Sequence, residues 1–201
     1  MRKVKKEADV RPVCLIDLDG TLIDYEEQLL FDLNQIKAPD EPTLTTLDAI
    51  LPDYITRRMD LIRQSSTWWK NLPERHLGMD LLRLVCEVGF RPVICTKGPK
   101  HNSDAWKGKV DWCIAHLSPL PDIDITRDKG LTYGRVLIDD YPDYVEGWLK
   151  YRPRGLVIMP THDYNKDFKH PQVLHYGGAE DYEMVRAALQ RAYARKDREP
   201  I

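Results

Sequence analysis

Two carboxylates separated by one residue follow a short apolar run near the start of the chain. The run covers residues 13–16, and the carboxylates belong to Asp17 and Asp19. Burying an unpaired carboxylate costs several kcal/mol, so a carboxylate pair that ends a buried strand predicts a cationic partner. Gly20 lets the backbone turn sharply and approach a ligand closely, and Thr21 adds a hydroxyl group. The segment therefore predicts the reactive edge of an enzyme.

Three later segments also end in polar side chains after apolar or alternating runs. In open α/β sheets, ligands bind beyond the carboxyl ends of the strands, so these side chains are expected to meet at one site. The residues are Thr96 and Lys97, then Lys129, and finally Asp139 and Asp140.

The charges of these residues predict a metal. Two carboxylates about 5 Å apart repel by roughly 3 kcal/mol at an effective dielectric constant near 20. Asp17, Asp19 and Asp140 therefore cannot all stay ionised unaided, whereas one divalent cation and Lys129 would neutralise them. A set of oxygen ligands favours a hard cation such as Mg²⁺. The expected metal ligands are Asp17, Asp19 and Asp140, with Asp139 close by.

These four motifs, in this order, resemble those of the haloacid dehalogenase superfamily, and the resemblance spans positions 17 to 143. The strings at 94–96, 126–129 and 137–143 resemble the 5′(3′)-deoxyribonucleotidases in particular. The resemblance implies a Rossmann-like, doubly wound parallel sheet of the α/β class with a small helical cap inserted after the first strand.

We expect a two-step phosphoryl transfer in which Asp17 attacks phosphorus and water then hydrolyses the aspartyl-phosphate. Asp19 donates a proton to the leaving oxygen and later accepts one from water. The resemblance implies the same roles and makes the backbone carbonyl of Asp19 a metal ligand. Thr96 is expected to bind the phosphate, and Lys129 to neutralise it. Lys97 replaces the small hydroxyl residue of the nucleotidase pattern and adds a cation.

The domain organisation follows from one long helical stretch. Residues 24–90 are longer than one crossover between parallel strands requires, and no strand pattern appears before residue 90. We therefore expect a Rossmann-like core of residues 1–23 and 77–201 and a helical cap of residues 24–76. In the superfamily such an insertion lies over the active site.

Local sequence patterns predict the bounds of several helices and strands. Residues 43–72 read as helix because leucine recurs at three-to-four spacing, and residues 160–179 read as irregular. Gly89 is expected to end a helix and Pro142 to begin one. A buried strand at 155–159 and a last helix at 180–195 complete the core.

Aromatic residues of the expected cap are the candidates for substrate contacts. Tyr25 follows the first motif, where the deoxyribonucleotidases have an aromatic residue that contacts the base. Trp68 and Trp69 are adjacent, and base stacking on an aromatic side chain is worth about 1–3 kcal/mol. Adjacent residues of a helix point about 100° apart, so at most one tryptophan faces a pocket. Packing within the cap is the alternative role for both.

Composition narrows the class of protein. The 201 residues carry a net charge of −2 and no basic field, which argues against nucleic-acid polymers as partners. The basic start, residues 1–6, is followed by acidic residues, so we expect no signal peptide, no membrane anchor and a cytoplasmic location.

Four scattered cysteines predict free thiols. Three histidines, His162, His170 and His175, are expected at the surface. The sequence is compatible with a homodimer and does not determine the oligomeric state.

The sequence thus favours a Mg²⁺-dependent phosphomonoesterase acting on deoxyribonucleoside monophosphates. The enzymatic alternatives are a phosphatase for sugar phosphates or other small metabolites and, more distantly, one for nucleic-acid ends. A non-catalytic module that binds phosphorylated ligands is the alternative from another class.

Overall fold

The computed structural model describes residues 9–47 and 50–196. The basic start and the last five residues lie outside this part of the chain, so the expectations about them stay untested. The six strands of the described chain form one parallel sheet in the order β3-β2-β1-β4-β5-β6. Their bounds are β1 Val13–Ile16, β2 Arg91–Lys97, β3 Asp122–Thr126, β4 Val136–Ile138, β5 Leu156–Pro160 and β6 Val173–Tyr176.

Strand β1 lies at the centre, where short apolar sequences are buried on both faces. Ile16 pairs with Ile94 of β2 and with Ile138 of β4, and all three side chains are fully buried. The polar residues that follow these strands therefore emerge at one edge of the sheet. Helices cover both faces, which confirms the predicted doubly wound α/β fold.

The described chain has seven helices and one short 3₁₀ turn, and all but the last helix lie between strands. Gly89 ends α4 in the left-handed conformation, at φ +102°, and Pro142 occupies the first turn of α6, as predicted. The bounds are α1 Tyr25–Gln35, α2 Asp53–Arg63, α3 Ser66–Lys70, α4 His76–Val88, α5 Ser103–His116, α6 Pro142–Lys150 and α7 Tyr182–Ala194, with the 3₁₀ turn at Lys129–Leu131. None of these helices is long and apolar enough to cross a membrane.

Helices α1, α2 and α3 lie between β1 and α4 and have a small hydrophobic cluster of their own, centred on Leu29, Leu33, Ile55 and Met59. The predicted helix over residues 43–72 is wrong in its first part, because residues 43–47 and 50–52 are irregular. The amide of Asn34 donates to the carbonyl of Leu44 at 2.9 Å and accepts from its N–H at 2.8 Å. Leu44 thus pairs with a side chain and not with a helical neighbour.

Helix α3 packs closely on α5 because Gly108 has no side chain. A Cβ atom at Gly108 would lie 2.5 Å from the carbonyl oxygen of Ser66 and 2.5 Å from Cβ of Trp69. Trp112 of α5 donates its indole N–H to the carbonyl of Leu72 at 2.8 Å, just beyond α3. This hydrogen bond joins the end of the α1–α3 segment to α5.

The last part of the chain differs from the prediction in one element. Strand β6 lies inside the stretch 160–179, which the sequence predicts to be irregular. It has four residues and, among the described strands, pairs only with β5, at the edge of the sheet, so it needs no continuous apolar sequence. Helix α7 buries Val185, Ala188, Leu189 and Ala192 as its spacing predicts.

Candidate active site

Asp17 and Lys129 meet at the edge of the sheet, directly beyond β1. The N–H of Asp17 donates to the carbonyl of Ile138 at 2.8 Å and so continues the pairing with β4. The 3₁₀ turn brings Lys129 into the same place, with its Nζ 2.8 Å from Oδ1 of Asp17 and 2.7 Å from Oδ2 of Asp139. Burial alone would lower the pKa of Lys129, but the two carboxylates outweigh it and raise that pKa.

Asp17, Asp139 and Asp140 form the buried carboxylate cluster of the described chain. One carboxylate oxygen of each lies within 4.8 Å of the other two. Burial raises the pKa of Asp139 and of Asp140, and the neighbouring carboxylates add to the effect. Both oxygens of Asp139 already accept hydrogen bonds, from Lys129 and from the N–H of Tyr141 at 3.0 Å.

Asp19 is paired with a lysine that lies outside the four sequence motifs. Nζ of Lys109 forms an ion pair with Oδ2 of Asp19 and lies 2.8 Å from the carbonyl of Lys97 and 3.3 Å from the hydroxyl of Thr96. Burial raises the pKa of Asp19, an effect that Lys109 opposes and Asp17 reinforces. The second oxygen of Asp19 is buried and has no hydrogen-bond partner among the described residues.

A sequence signal for Lys109 exists. Ala105, Trp112 and Cys113 line the buried face of α5, and Lys109 has the three-to-four spacing that places it on the same face. Its side chain is only 2% exposed. A lysine on the apolar face of a helix predicts a buried anionic partner, because an unpaired buried ammonium is costly.

The cluster fits a divalent cation. Asp17, Asp19, Asp139 and Asp140 supply four carboxylates against the two ammonium groups of Lys109 and Lys129, so two negative charges are left over when all six groups are ionised. The donors are all oxygen atoms, which suits Mg²⁺.

A loop after β5 also reaches this site. His162, expected at the surface, is half-buried, and its Nε2–H donates to the carbonyl of Gly20 at 2.6 Å. Burial lowers the pKa of His162 to about 4, so the ring is neutral at pH 7. The hydroxyl of Tyr164 donates to Oδ2 of Asp140, while the hydroxyl of Thr21 donates to Oδ1 at 2.7 Å. The surface expectation for His162 is therefore wrong.

A cleft of about 1490 Å³ lies over the carboxylates. Residues of α1, α2 and α3 line one side of it, and residues that follow the strands line the other. Trp69 and Tyr25 both line the cleft, whereas Trp68 does not and donates its indole N–H to Asp32 at 2.6 Å. The position of Trp68 therefore gives no support to the predicted substrate contact.

Trp69 offers little surface to a ligand. Its ring stacks on that of Tyr25, with centroids 5.4 Å apart, and Nζ of Lys109 lies 4.8 Å from its centroid. Only 4% of Trp69 is exposed.

Thr96 and Lys97 end β2 beside the carboxylates. Thr96 is fully buried behind Lys109. Lys97 lines the cleft, and its Nζ lies 2.6 Å from the hydroxyl of Tyr144. The structure thus brings together all the residues that the sequence places at the strand ends. Their assigned roles stay predictions.

Known proteins with this fold are found by structure and not by sequence, since no family model and no curated protein matches the chain. A haloacid dehalogenase-like hydrolase from Burkholderia xenovorans superposes with a TM-score of 0.55 at 14% identity, covering 89% of this chain and 98% of that one. A protein described as a β-phosphoglucomutase, from Thermotoga maritima, gives 0.53 at 14% identity, over 88% and 99%. The hydrolase YfnB from Bacillus subtilis, bound to magnesium, gives 0.52 at 15% identity, over 88% and 98%. Identities this low establish a shared fold only, and the chain has the fold of the haloacid dehalogenase-like hydrolases.

Proposed function

We propose that this protein is a Mg²⁺-dependent phosphatase that hydrolyses small phosphomonoesters through a phosphorylated Asp17. The observation that carries the proposal is that Asp17 and Asp140 line a cleft while Lys129 is buried beside Asp17. Oδ1 of Asp17 lies 2.8 Å from Nζ of Lys129, and carboxylate oxygens of Asp17 and Asp140 lie within 4.8 Å of each other. A carboxylate beside cations is the arrangement that attack on a phosphate requires.

In the first step, an oxygen of Asp17 forms a bond to phosphorus while the bond from phosphorus to the leaving oxygen breaks. Asp19 gives a proton to that oxygen and later takes one from the water that releases phosphate. Lys129 holds Asp17 in place and neutralises charge on the transferred group. The resemblance to the superfamily assigns a hydrogen bond to the phosphate to Thr96, whose buried hydroxyl lies 3.3 Å from Nζ of Lys109. Bound Mg²⁺ would screen the negative charges of phosphate and carboxylates from one another.

Asp17 and Asp140 are the side chains that would hold the metal. Asp139 is close enough, but both of its oxygens are engaged by Lys129 and Tyr141. This arrangement favours Asp139 as the residue that positions Lys129. The resemblance to the superfamily adds the backbone carbonyl of Asp19 as a ligand.

Residues 24–76 are proposed to act as the cap that encloses the leaving group. Tyr25 of α1, Arg63 of α2 and Trp69 of α3 all line the cleft. A cap in this place would exclude water from the phosphate and select substrates by size and shape.

Deoxyribonucleoside monophosphates are the first candidate substrates. The short strings that resemble the deoxyribonucleotidases support them, and the cleft exceeds the roughly 300–1,000 Å³ of most small-molecule sites. Sugar phosphates are the second candidate, favoured by the burial of Trp69, which leaves no ring face for a base. A structural neighbour described as a β-phosphoglucomutase also supports them.

Release of phosphate from p-nitrophenyl phosphate, with and without Mg²⁺, tests the activity. We expect Mg²⁺-dependent turnover that Asp17→Asn abolishes without changing the circular dichroism spectrum. Asp167→Asn, an exposed position, serves as the control. Near-wild-type turnover by Asp17→Asn would refute the mechanism, and absence of turnover in the wild type would favour a phospho-ligand binding module.

A panel of deoxyribonucleoside, ribonucleoside and hexose monophosphates then separates the substrate classes by kcat/KM. Preference for a nucleotide supports the first candidate. Activity confined to hexose phosphates would exclude it.

A further inference from the structure

Two hydroxyl groups from distant parts of the chain hold the carboxylate of Asp140. Thr21 donates to Oδ1 at 2.7 Å, and Tyr164 donates to Oδ2. Asp140 is only 4% exposed, so water cannot take over these bonds easily. An ionised carboxylate has about four lone-pair sites. One site on each oxygen is used by a hydroxyl, which leaves the other free for a cation.

Tyr164 is itself held by a network within its loop. Its ring stacks on that of His162, with centroids 4.7 Å apart and planes inclined by 23°. Asn165 is fully buried and donates to the carbonyls of Asp140 at 2.8 Å and Pro160 at 2.9 Å. Its side-chain oxygen accepts from the N–H of His162 at 2.8 Å. The place of the Tyr164 hydroxyl is therefore set by buried contacts.

The same loop is tied to the first motif. His162 donates to the carbonyl of Gly20, and a Cβ atom at Gly20 would lie 2.5 Å from Oδ2 of Asp140. The carboxylate of Asp140 therefore packs against the backbone at Gly20, and Tyr164 donates to the same oxygen, Oδ2. Rotation of this carboxylate would break the bonds to Thr21 and Tyr164 together.

We propose that Tyr164 is a positioning residue for the metal, whose hydroxyl fixes the carboxylate of Asp140 in the orientation that receives Mg²⁺. The inference rests on the proposed function, because it takes Asp140 as a magnesium ligand. Groups that orient metal ligands through hydrogen bonds typically contribute 10- to 100-fold to metal affinity. Without the hydroxyl, the bond to Thr21 is the one remaining hydroxyl bond that opposes rotation of the carboxylate, so the orientation that receives the cation is held less firmly.

Direct titration of the substrate-free protein with Mg²⁺ in a calorimeter tests the role, and Mn²⁺ titration followed by electron paramagnetic resonance provides a second measure. Tyr164→Phe keeps the ring that stacks on His162 and removes only the hydroxyl. We expect about 10- to 100-fold weaker binding of either metal, at unchanged stoichiometry. Tyr133→Phe, at a 66% exposed position, is the matched control and should bind as the wild type does.

The possible outcomes separate the two proposals. Wild-type affinity in Tyr164→Phe, with or without a lower melting temperature, would overturn the positioning role while leaving the phosphatase proposal intact. Absence of metal binding in the wild type would refute the proposed function and this inference together. If the proposal holds, the Mg²⁺ concentration for half-maximal phosphatase activity also rises in Tyr164→Phe and stays unchanged in Tyr133→Phe.

Discussion

The ammonium group of Lys109 is ion-paired with the carboxylate of Asp19, across ninety positions of the chain. Helix α5 therefore supplies a second lysine to the site, in addition to Lys129. The ion pair connects Asp19, the residue proposed to transfer protons, with α5, the helix against which α3 packs. A shift of α5 would therefore displace the ammonium group that is paired with Asp19.

Removing this lysine should destabilise the fold. Lys109→Met leaves Asp19, whose side chain is 26% exposed, without its cation. Breaking a fully buried ion pair from one side costs about 3–5 kcal/mol, and solvation of the exposed part of Asp19 lowers that cost. We expect a decrease of about 2 kcal/mol in the free energy of unfolding, measured by urea denaturation monitored by circular dichroism. Lys107→Met, at an exposed position of the same helix, should change it by less than about 0.5 kcal/mol.

A double variant separates charge from packing. Asp19→Asn combined with Lys109→Met removes both charges, so it should recover part of the stability that Lys109→Met loses. A single Lys109→Met variant as stable as the wild type would show that the pair contributes nothing.

Gly108 and Gly147 offer a matched pair of substitutions within helices. Gly108→Ala places a Cβ atom 2.5 Å from Ser66 and Trp69, and we expect a loss of about 1–3 kcal/mol because the helices must separate. Gly147→Ala meets no described atom within 4 Å and should raise stability by about 0.5–1 kcal/mol, since alanine favours helix. Urea denaturation measures both. Equal effects at the two positions would contradict the close packing of α3 on α5.

The stability of the protein should depend on pH through His162. Its pKa lies at about 4 in the folded chain, below the ordinary value of 6.5, because burial disfavours the charged ring. The unfolded chain therefore takes up a proton first as pH falls, and the stabilising contribution is lost between pH 6.5 and pH 4. The expected loss is about 1–2 kcal/mol after allowance for partial exposure.

His162→Gln provides the comparison for this pH effect, since glutamine can still donate to Gly20 and does not titrate. Buried carboxylates with raised pKa values change the free energy of unfolding with pH in the opposite direction. Both proteins contain these carboxylates, so the difference in free energy between wild type and variant isolates the contribution of the histidine. Metal-free urea denaturation at pH 7 and pH 5 measures that difference. A difference that is the same at both pH values would contradict the burial of His162.

The four cysteines should differ sharply in reactivity. Cys14, Cys95 and Cys113 are buried, and burial raises the pKa of Cys113 to about 12, whereas Cys86 is exposed. Titration with Ellman's reagent should therefore detect one thiol in the native protein and four in urea. Cys86→Ser should abolish the native reaction. Rapid reaction of a second thiol in the native state would show that a core strand or helix opens.

Local sequence alone was sufficient to predict the strand ends of the site. Asp17, Thr96 and Asp139 each follow a short apolar run, and parallel strands have their carboxyl ends at one edge of the sheet. The sequence therefore predicted that these residues would meet, and the structure added that β2 and β4 are the neighbours of β1. Burial and charge at those ends then led to the expectation of a metal.

Only the tertiary structure revealed the side-chain partners of Asp19 and Asp140. Lys109 lies on a helix and Tyr164 in a loop, and neither has a local pattern that says which carboxylate it meets. The same holds for residues 43–47, where the leucine spacing predicted helix but a side-chain amide of Asn34 took the backbone bonds of Leu44. Periodic burial is a property of neighbours along the chain, and it can be read from the sequence. Pairing between distant polar groups depends on how helices and loops pack, so the three-dimensional fold decided it.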